Sequence, residues 1–140
     1  MKRQTRSDCP ISYSLDVFGD KWTLLILRDL LIRQKRYYQD FLNSGEGIAT
    51  NILADRLKNL LDNGLLTKTD NPENKRQTIY SPTKKAIALL PVLSGMAKWG
   101  LKFGAKTKGP SLKTSMDNFE SVRKELRGVY KKEFEEMEKE

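Results

Sequence analysis

With 140 residues, 26 basic against 18 acidic side chains, a formal net charge of +8 and no histidine, the chain is sized for one domain with an added terminal helix. That length buries a substantial core without disulfides or metal, and one cysteine without histidine cannot build a thiolate–imidazole zinc site or a Cys-His nucleophile. There is no run of about 18 apolar residues and no leader-like apolar stretch behind the first charges, so neither a membrane span nor a signal peptide is expected, and a lone cysteine suits a reducing cytoplasm.

Residues 1–8 read as a loose polar arm. Pro10 suits a first helical turn, where its missing N–H costs nothing. Tyr13, Leu15, Val17 and Phe18 give that helix apolar content until Gly19 ends it. Asp20 caps a second helix. Trp22, Leu24, Leu25, Ile26, Leu27, Leu30 and Leu31 make it apolar on nearly all sides, which predicts a buried central helix. Gln34-Lys35-Arg36 turns into a short helix over 37–43, where Phe41 and Leu42 can pack while Gln39, Asp40 and Asn43 face water. A glycine-rich turn, Gly45-Glu46-Gly47, closes that segment.

The next helix begins near Ala49 or Thr50. Leu53, Leu57, Leu60, Leu61 and Leu65 recur mostly at three- and four-residue steps and define one apolar stripe. With Leu53 and Leu57 inward and about 100° per residue, Asn51, Asp55 and Lys58 point outward and Ala54 and Arg56 lie on the flanks. Past Gly64, the segments 65–69 and 78–81 are rich in Thr, Leu, Ile and Tyr and predict a hairpin around a long polar tip, 70–77. Pro82-Thr83 opens another long helix, apolar through Ala86, Leu89, Leu90, Val92, Leu93, Met96, Ala97 and Trp99, and Pro91 should kink or split it. Residues 105–116 read as a linker. A final amphipathic helix over 117–138 carries the stripe Phe119, Val122, Leu126, Tyr130, Phe134 and Met137, weakened by Gly128, and needs a surface to pack on.

The fold class is thus mainly α with a small β-hairpin. A helix running straight into a hairpin is the layout of a winged helix-turn-helix DNA-binding domain, here over 9–104, with the 117–138 helix as a candidate dimerisation element. The charge is less pointed. Segment 35–76 holds seven Lys/Arg against six Asp/Glu, and much of the excess lies at Lys2, Arg3, Arg6, Lys84, Lys85, Lys98, Lys102, Lys106, Lys108 and Lys113.

Taken in order, Cys9-Pro10, the block Gly19-Asp20-Lys21-Trp22-Thr23-Leu24-Leu25-Ile26-Leu27, Arg36-Tyr37, Phe41, Gly47-Ile48, Leu53, Arg56-Leu57, Leu60, Gly64-Leu65, Tyr80-Ser81 and Thr83 resemble the HxlR family of bacterial winged-helix regulators, related in architecture to the MarR group. The resemblance spans about residues 9–100. Pro82, where members often have Leu, and Lys84-Lys85-Ala86, where they often have Glu-Lys-Gly, depart from it, as does the wing tip NPENKRQ.

The resemblance implies that 49–62 is a recognition helix on a double-stranded DNA operator. Asn51 is then the best base reader, since a carboxamide can pair with adenine twice, and Thr50 can reach a base or a phosphate. Arg56 and Lys58 suit phosphates, Lys75 and Arg76 a narrow minor groove, and Lys35 and Arg36 the backbone. The plainer alternatives are a solvated polar residue for Asn51, a surface ion pair for Arg56 and solvated loop charges for Lys75 and Arg76. A homodimer is also implied, with the first helix (Tyr13, Leu15, Phe18), the helix holding Trp99 and Leu101, and the tail as interface candidates; for Tyr13 and Trp99, ordinary core is the alternative. Some members of the family sense oxidants or electrophiles through a cysteine at the position of Cys9. Here it stands at a helix start, whose dipole favours negative charge, with Arg3 and Arg6 nearby and Asp8 opposing; a half-buried packing thiol is the alternative. No cofactor, metal or enzymatic activity is expected. The rival function is a winged-helix protein–protein adaptor without specific DNA binding.

Overall fold

The computed structural model of the chain describes residues 7–104, 112–132, 135 and 139, with backbone alone over 112–119. The chain divides into two compact units between Thr83 and Lys84. The first opens with α1 (Pro10–Phe18) and α2 (Lys21–Leu31), separated by Gly19 and Asp20. Gly19 donates its N–H to Leu15 O at 2.9 Å, and a Cβ there would lie 2.4 Å from that oxygen, so only glycine closes α1 so tightly. Asp20 caps α2 as expected, its carboxylate accepting from Thr23 N. The apolar run of α2 buries Ile26, Leu27, Leu30 and Leu31 together with Thr23 and Asp29, while no residue of α1 is buried.

The short α3 (Tyr38–Leu42) and the longer α4 (Thr50–Asp62) follow. Leu53, Leu57 and Leu60 of α4 are buried where α4 packs on α2, and Phe41 of α3 is buried edge-on to Tyr80, while Leu61 of the expected stripe is half-buried. The end of α4 is a Schellman turn: Leu65 N donates to Leu60 O at 2.8 Å and Gly64 N to Leu61 O at 3.1 Å, with Gly64 at φ +72°. Buried Leu60 and Leu65 supply the apolar contact that accompanies this motif.

The wing is an antiparallel pair, β1 (Leu66–Asn71) and β2 (Asn74–Pro82), registered Leu66 with Pro82 through Asp70 with Thr78. Tyr37 adds an isolated bridge to Ile79, and Tyr80 N donates to Arg36 O at 2.7 Å. The tip is shorter than the expected 70–77. Asn71 Oδ1 accepts from Glu73 N and Asn74 Oδ1 from Arg76 N, so two asparagine side chains complete a tight turn and pairing resumes at Asn71 and Asn74. The register slips between Asp70 and Asn71, which leaves 75–77 without partners across the ladder. Pro82 does not open a helix; it is the buried last residue of β2. Thr83 extends this edge, its N–H donating to Leu65 O and its hydroxyl to Gly64 O at 2.6 Å, so helix resumes only at Lys84.

The second unit comprises α5 (Lys84–Ile87), α6 (Leu90–Phe103) and α7 (Leu112–Val129). Pro91 splits the helix as expected, taking a first-turn place in α6. Within the run Lys84–Phe103 an 18-residue window reaches a mean hydropathy of 1.2, enough for a membrane span by length and composition alone, which the absence of an unbroken apolar run had not suggested. In the structure it is two helices with Ala86, Ile87, Leu90 and Leu93 buried. α7 packs on α6 and starts at Leu112, inside the expected 105–116 linker. Its Val122 and Leu126 are buried, as the stripe required; residues 105–111, Phe134 and Met137 lie outside the described residues.

Candidate nucleic-acid interface

The exposed side of α4 begins at its first turn. Thr50 and Asn51 are exposed, and the preceding Ala49 offers no side-chain cap, so the first N–H groups have no side-chain acceptor there. Tyr38 steadies this end by donating its hydroxyl to Thr50 O at 3.3 Å. Asp55 and Lys58 are exposed on the same side, opposite buried Leu53, Leu57 and Leu60, as the helical wheel required. Lys75 and Arg76 are exposed on the unpaired stretch of β2, and Lys68, a wing cation the strand pattern did not single out, is exposed on β1 opposite Tyr80. Lys35 lines an open polar cleft of about 470 Å³ together with Asp29, Arg33 and Asp40.

Two of the arginines expected at DNA, Arg36 and Arg56, make hydrogen bonds within the fold, and for Arg56 this is the ion pair weighed as its alternative. Arg36 Nη1 donates to Leu30 O at 2.6 Å and Lys35 O at 2.9 Å, so its guanidinium satisfies a carbonyl that the end of α2 leaves open. Arg56 Nε donates to Asp20 Oδ1 at 3.0 Å and its Nη1 to Asp55 Oδ2. Burial pushes the Asp20 carboxyl up, but bonds from the Thr23 hydroxyl and N–H and from Arg56 outweigh it and hold the group below the ordinary carboxylate range. The Asp20 hydrogen bond shifts Arg56 upward, burial opposing.

A second network was not anticipated. Asp29 is 1% exposed in an otherwise apolar face of α2. Its Oδ1 accepts from Arg28 Nη2 at 3.0 Å and forms an ion pair with Arg33, Nη1 at 3.2 Å. Arg28 reaches on to Glu46 Oε1 at 2.8 Å, and Arg33 donates to Ser44 O at 3.1 Å. The turn ahead of α4 is thereby fastened to α2. The hydrogen bond from Arg28 holds the Glu46 carboxyl below its ordinary value, burial opposing. A single acid within LLILRDLLI, with arginines at one and four residues' distance, was the available signal.

Cys9 is exposed at the N-cap of α1, its N–H donating to Ser7 Oγ at 3.2 Å. On α1 Ile11, Tyr13 and Leu15 are exposed, and on α6 Val92, Met96, Trp99 and Phe103 are exposed at steps of three and four. Trp99, 67% exposed, and Phe103, 63% exposed, contact each other at 5.6 Å between ring centres. Among the described residues, no three His, Cys, Asp or Glu gather as a metal site.

The sequence profile of the HxlR-like helix-turn-helix family matches residues 17–108. The chain is 32% identical over 100 residues to a protein of Fusobacterium mortiferum described as the regulatory protein MalR, covering 71% of this chain and 94% of that one. Among solved structures it is similar to PA1607, described as a transcription factor candidate, at a TM-score of 0.68 and 32% identity over 76% of this chain and 72% of that one. It is also similar to quinone-bound YodB of Bacillus subtilis, at 0.56 and 26% identity over 68% and 99%.

Proposed function

Since the chain belongs to the HxlR-like helix-turn-helix family and is a transcription regulator of the winged-helix type, we propose that it binds a specific operator as a cytoplasmic homodimer. The observation that carries this reading is the uncapped, exposed first turn of α4, followed after the Gly64 turn by the exposed cations of the wing. Asn51 reads a base edge and Thr50 a base or phosphate. Lys58 and Lys35 hold phosphates, and Lys75 and Arg76 enter the minor groove beside the helix. Arg36 and Arg56 serve this surface from within the fold, where their guanidinia are bonded.

The second copy covers the apolar side chains left exposed on α6, Val92, Met96, Trp99 and Phe103, and separately those exposed on α1, Ile11, Tyr13 and Leu15. Similarity to quinone-bound YodB supports a further reading, in which an electrophile adding to the exposed thiol of Cys9 changes operator affinity. The test is a gel-shift of the full chain against duplexes selected from a random library, with and without a quinone. Selection of one shared, two-fold symmetric sequence supports the operator reading. Weak binding indifferent to sequence and to Asn51→Ala favours the adaptor. A Cys9→Ser protein that still responds removes Cys9 from the response.

A further inference from the structure

The leucine stripe holds α4 against α2, and because the hydrophobic attraction itself is nondirectional, a directional bond on the flank of the helix adds a separate restraint on its roll. Rolling matters for base reading: a 10° roll moves an atom 5–6 Å from the helix axis by about 1 Å, more than a base hydrogen bond tolerates. Arg56 lies on the flank of α4 between the buried stripe and the exposed face, where a directional bond resists roll best. Its partner is fixed independently. Asp20 Oδ2 accepts from the Thr23 hydroxyl at 2.6 Å and Oδ1 from Thr23 N at 3.0 Å, so capping α2 sets where the carboxylate stands before Arg56 arrives. The same Oδ1 then accepts from Arg56 Nε at 3.0 Å.

Resting on the DNA-binding reading above, we propose that Arg56 is a positioning residue for operator recognition: the N-cap carboxylate of α2 clasps it and sets the roll of the recognition helix, and Arg56 itself touches no phosphate. The N-cap thus does two jobs, ending one helix and aiming another.

Anisotropy titrations of the full chain with the selected operator and with an unrelated duplex, over a series of salt concentrations, test this alongside amide hydrogen exchange of the free protein. The variants are Asp20→Ser, which keeps a cap for α2 but is too short to reach Arg56, Arg56→Gln, Arg56→Lys and the double variant Asp20→Ser/Arg56→Gln. Asp20→Ser and Arg56→Gln should each weaken operator binding by about five-fold, leave the unrelated duplex and the salt slope unchanged, and lose no more when combined. Arg56→Lys, which would serve a phosphate but not this clasp, should behave as Arg56→Gln. Both single variants should speed exchange along α4.

A salt slope lowered by about 0.9 in Arg56→Gln, and restored in Arg56→Lys, overturns the proposal in favour of a phosphate contact. Additive losses in the double variant overturn it too. Should the wild type not distinguish operator from unrelated duplex, the DNA reading fails on its own, and exchange decides the clasp: faster, non-additive exchange along α4 upholds it and unchanged exchange overturns it.

Discussion

A carboxylate withdrawn from water needs compensating partners, and Asp29 receives them from Arg28 on its own helix and Arg33 just past the end of that helix. Asp29→Ala should cost about 3 kcal/mol in urea denaturation, the low end for a broken buried pair because both arginines keep some solvent. Gly64→Ala should cost about 1 kcal/mol, since open space surrounds the position and only its left-handed φ of +72° resists a side chain. Both residues had different visibility in the sequence. Gly64 stood out as a helix stop because the leucine period ends beside it. Asp29 did not, because the partners that make it tolerable depend on which way two long arginine side chains fold. The same applies to Arg36 and Arg56: charge and helical face led to an expectation of DNA contact, but the internal acceptors that both guanidinia bond could not be read from the sequence.

At the level of elements, the ties of α4 to α2 carry a pH signature. Asp20 and Glu46 are held below their ordinary values in the fold, so on acidification the unfolded chain takes up their protons first. Their contribution is therefore complete above about pH 5 and fades below about pH 4. Thermal melts should show a falling midpoint in that acid window, with a shallower fall in Asp20→Ser. On the DNA side, Lys58→Ala should lower the salt slope of operator binding by about 0.9 without altering exchange along α4. The helices were legible because 3.6-residue periods, Gly19, Asp20 and Gly64 agree on their ends. The hairpin's strands were legible too, but its tip was not: asparagine side chains replaced backbone partners there and drew pairing out to Asn71 and Asn74. Pro82 misled because a proline that opens a helix and one that ends an edge strand look alike until the partner strand is known.

On the scale of the whole molecule, exposed Trp99 and Phe103 join Val92 and Met96 in a stripe that a subunit partner is proposed to cover. Trp99→Glu should convert a sedimenting dimer to monomer and abolish cooperative operator binding, while the monomer keeps its helical circular dichroism. The sequence could rank α6 only as a candidate, since a leucine-and-aromatic helix looks the same whether its own domain or another chain buries it. Within the first unit, the two faces of α4 have separate obligations. Leu53, Leu57 and Leu60 answer to the core and Arg56 to Asp20 and Asp55, whereas the side chains of Thr50, Asn51 and Lys58 are exposed and outside both sets of contacts. On the proposed DNA-binding reading, those three positions can be exchanged as a cassette, so new operator preferences could be grafted onto this scaffold, by selection or by duplication and drift, with the proposed aiming frame of Asp20 and Arg56 left untouched.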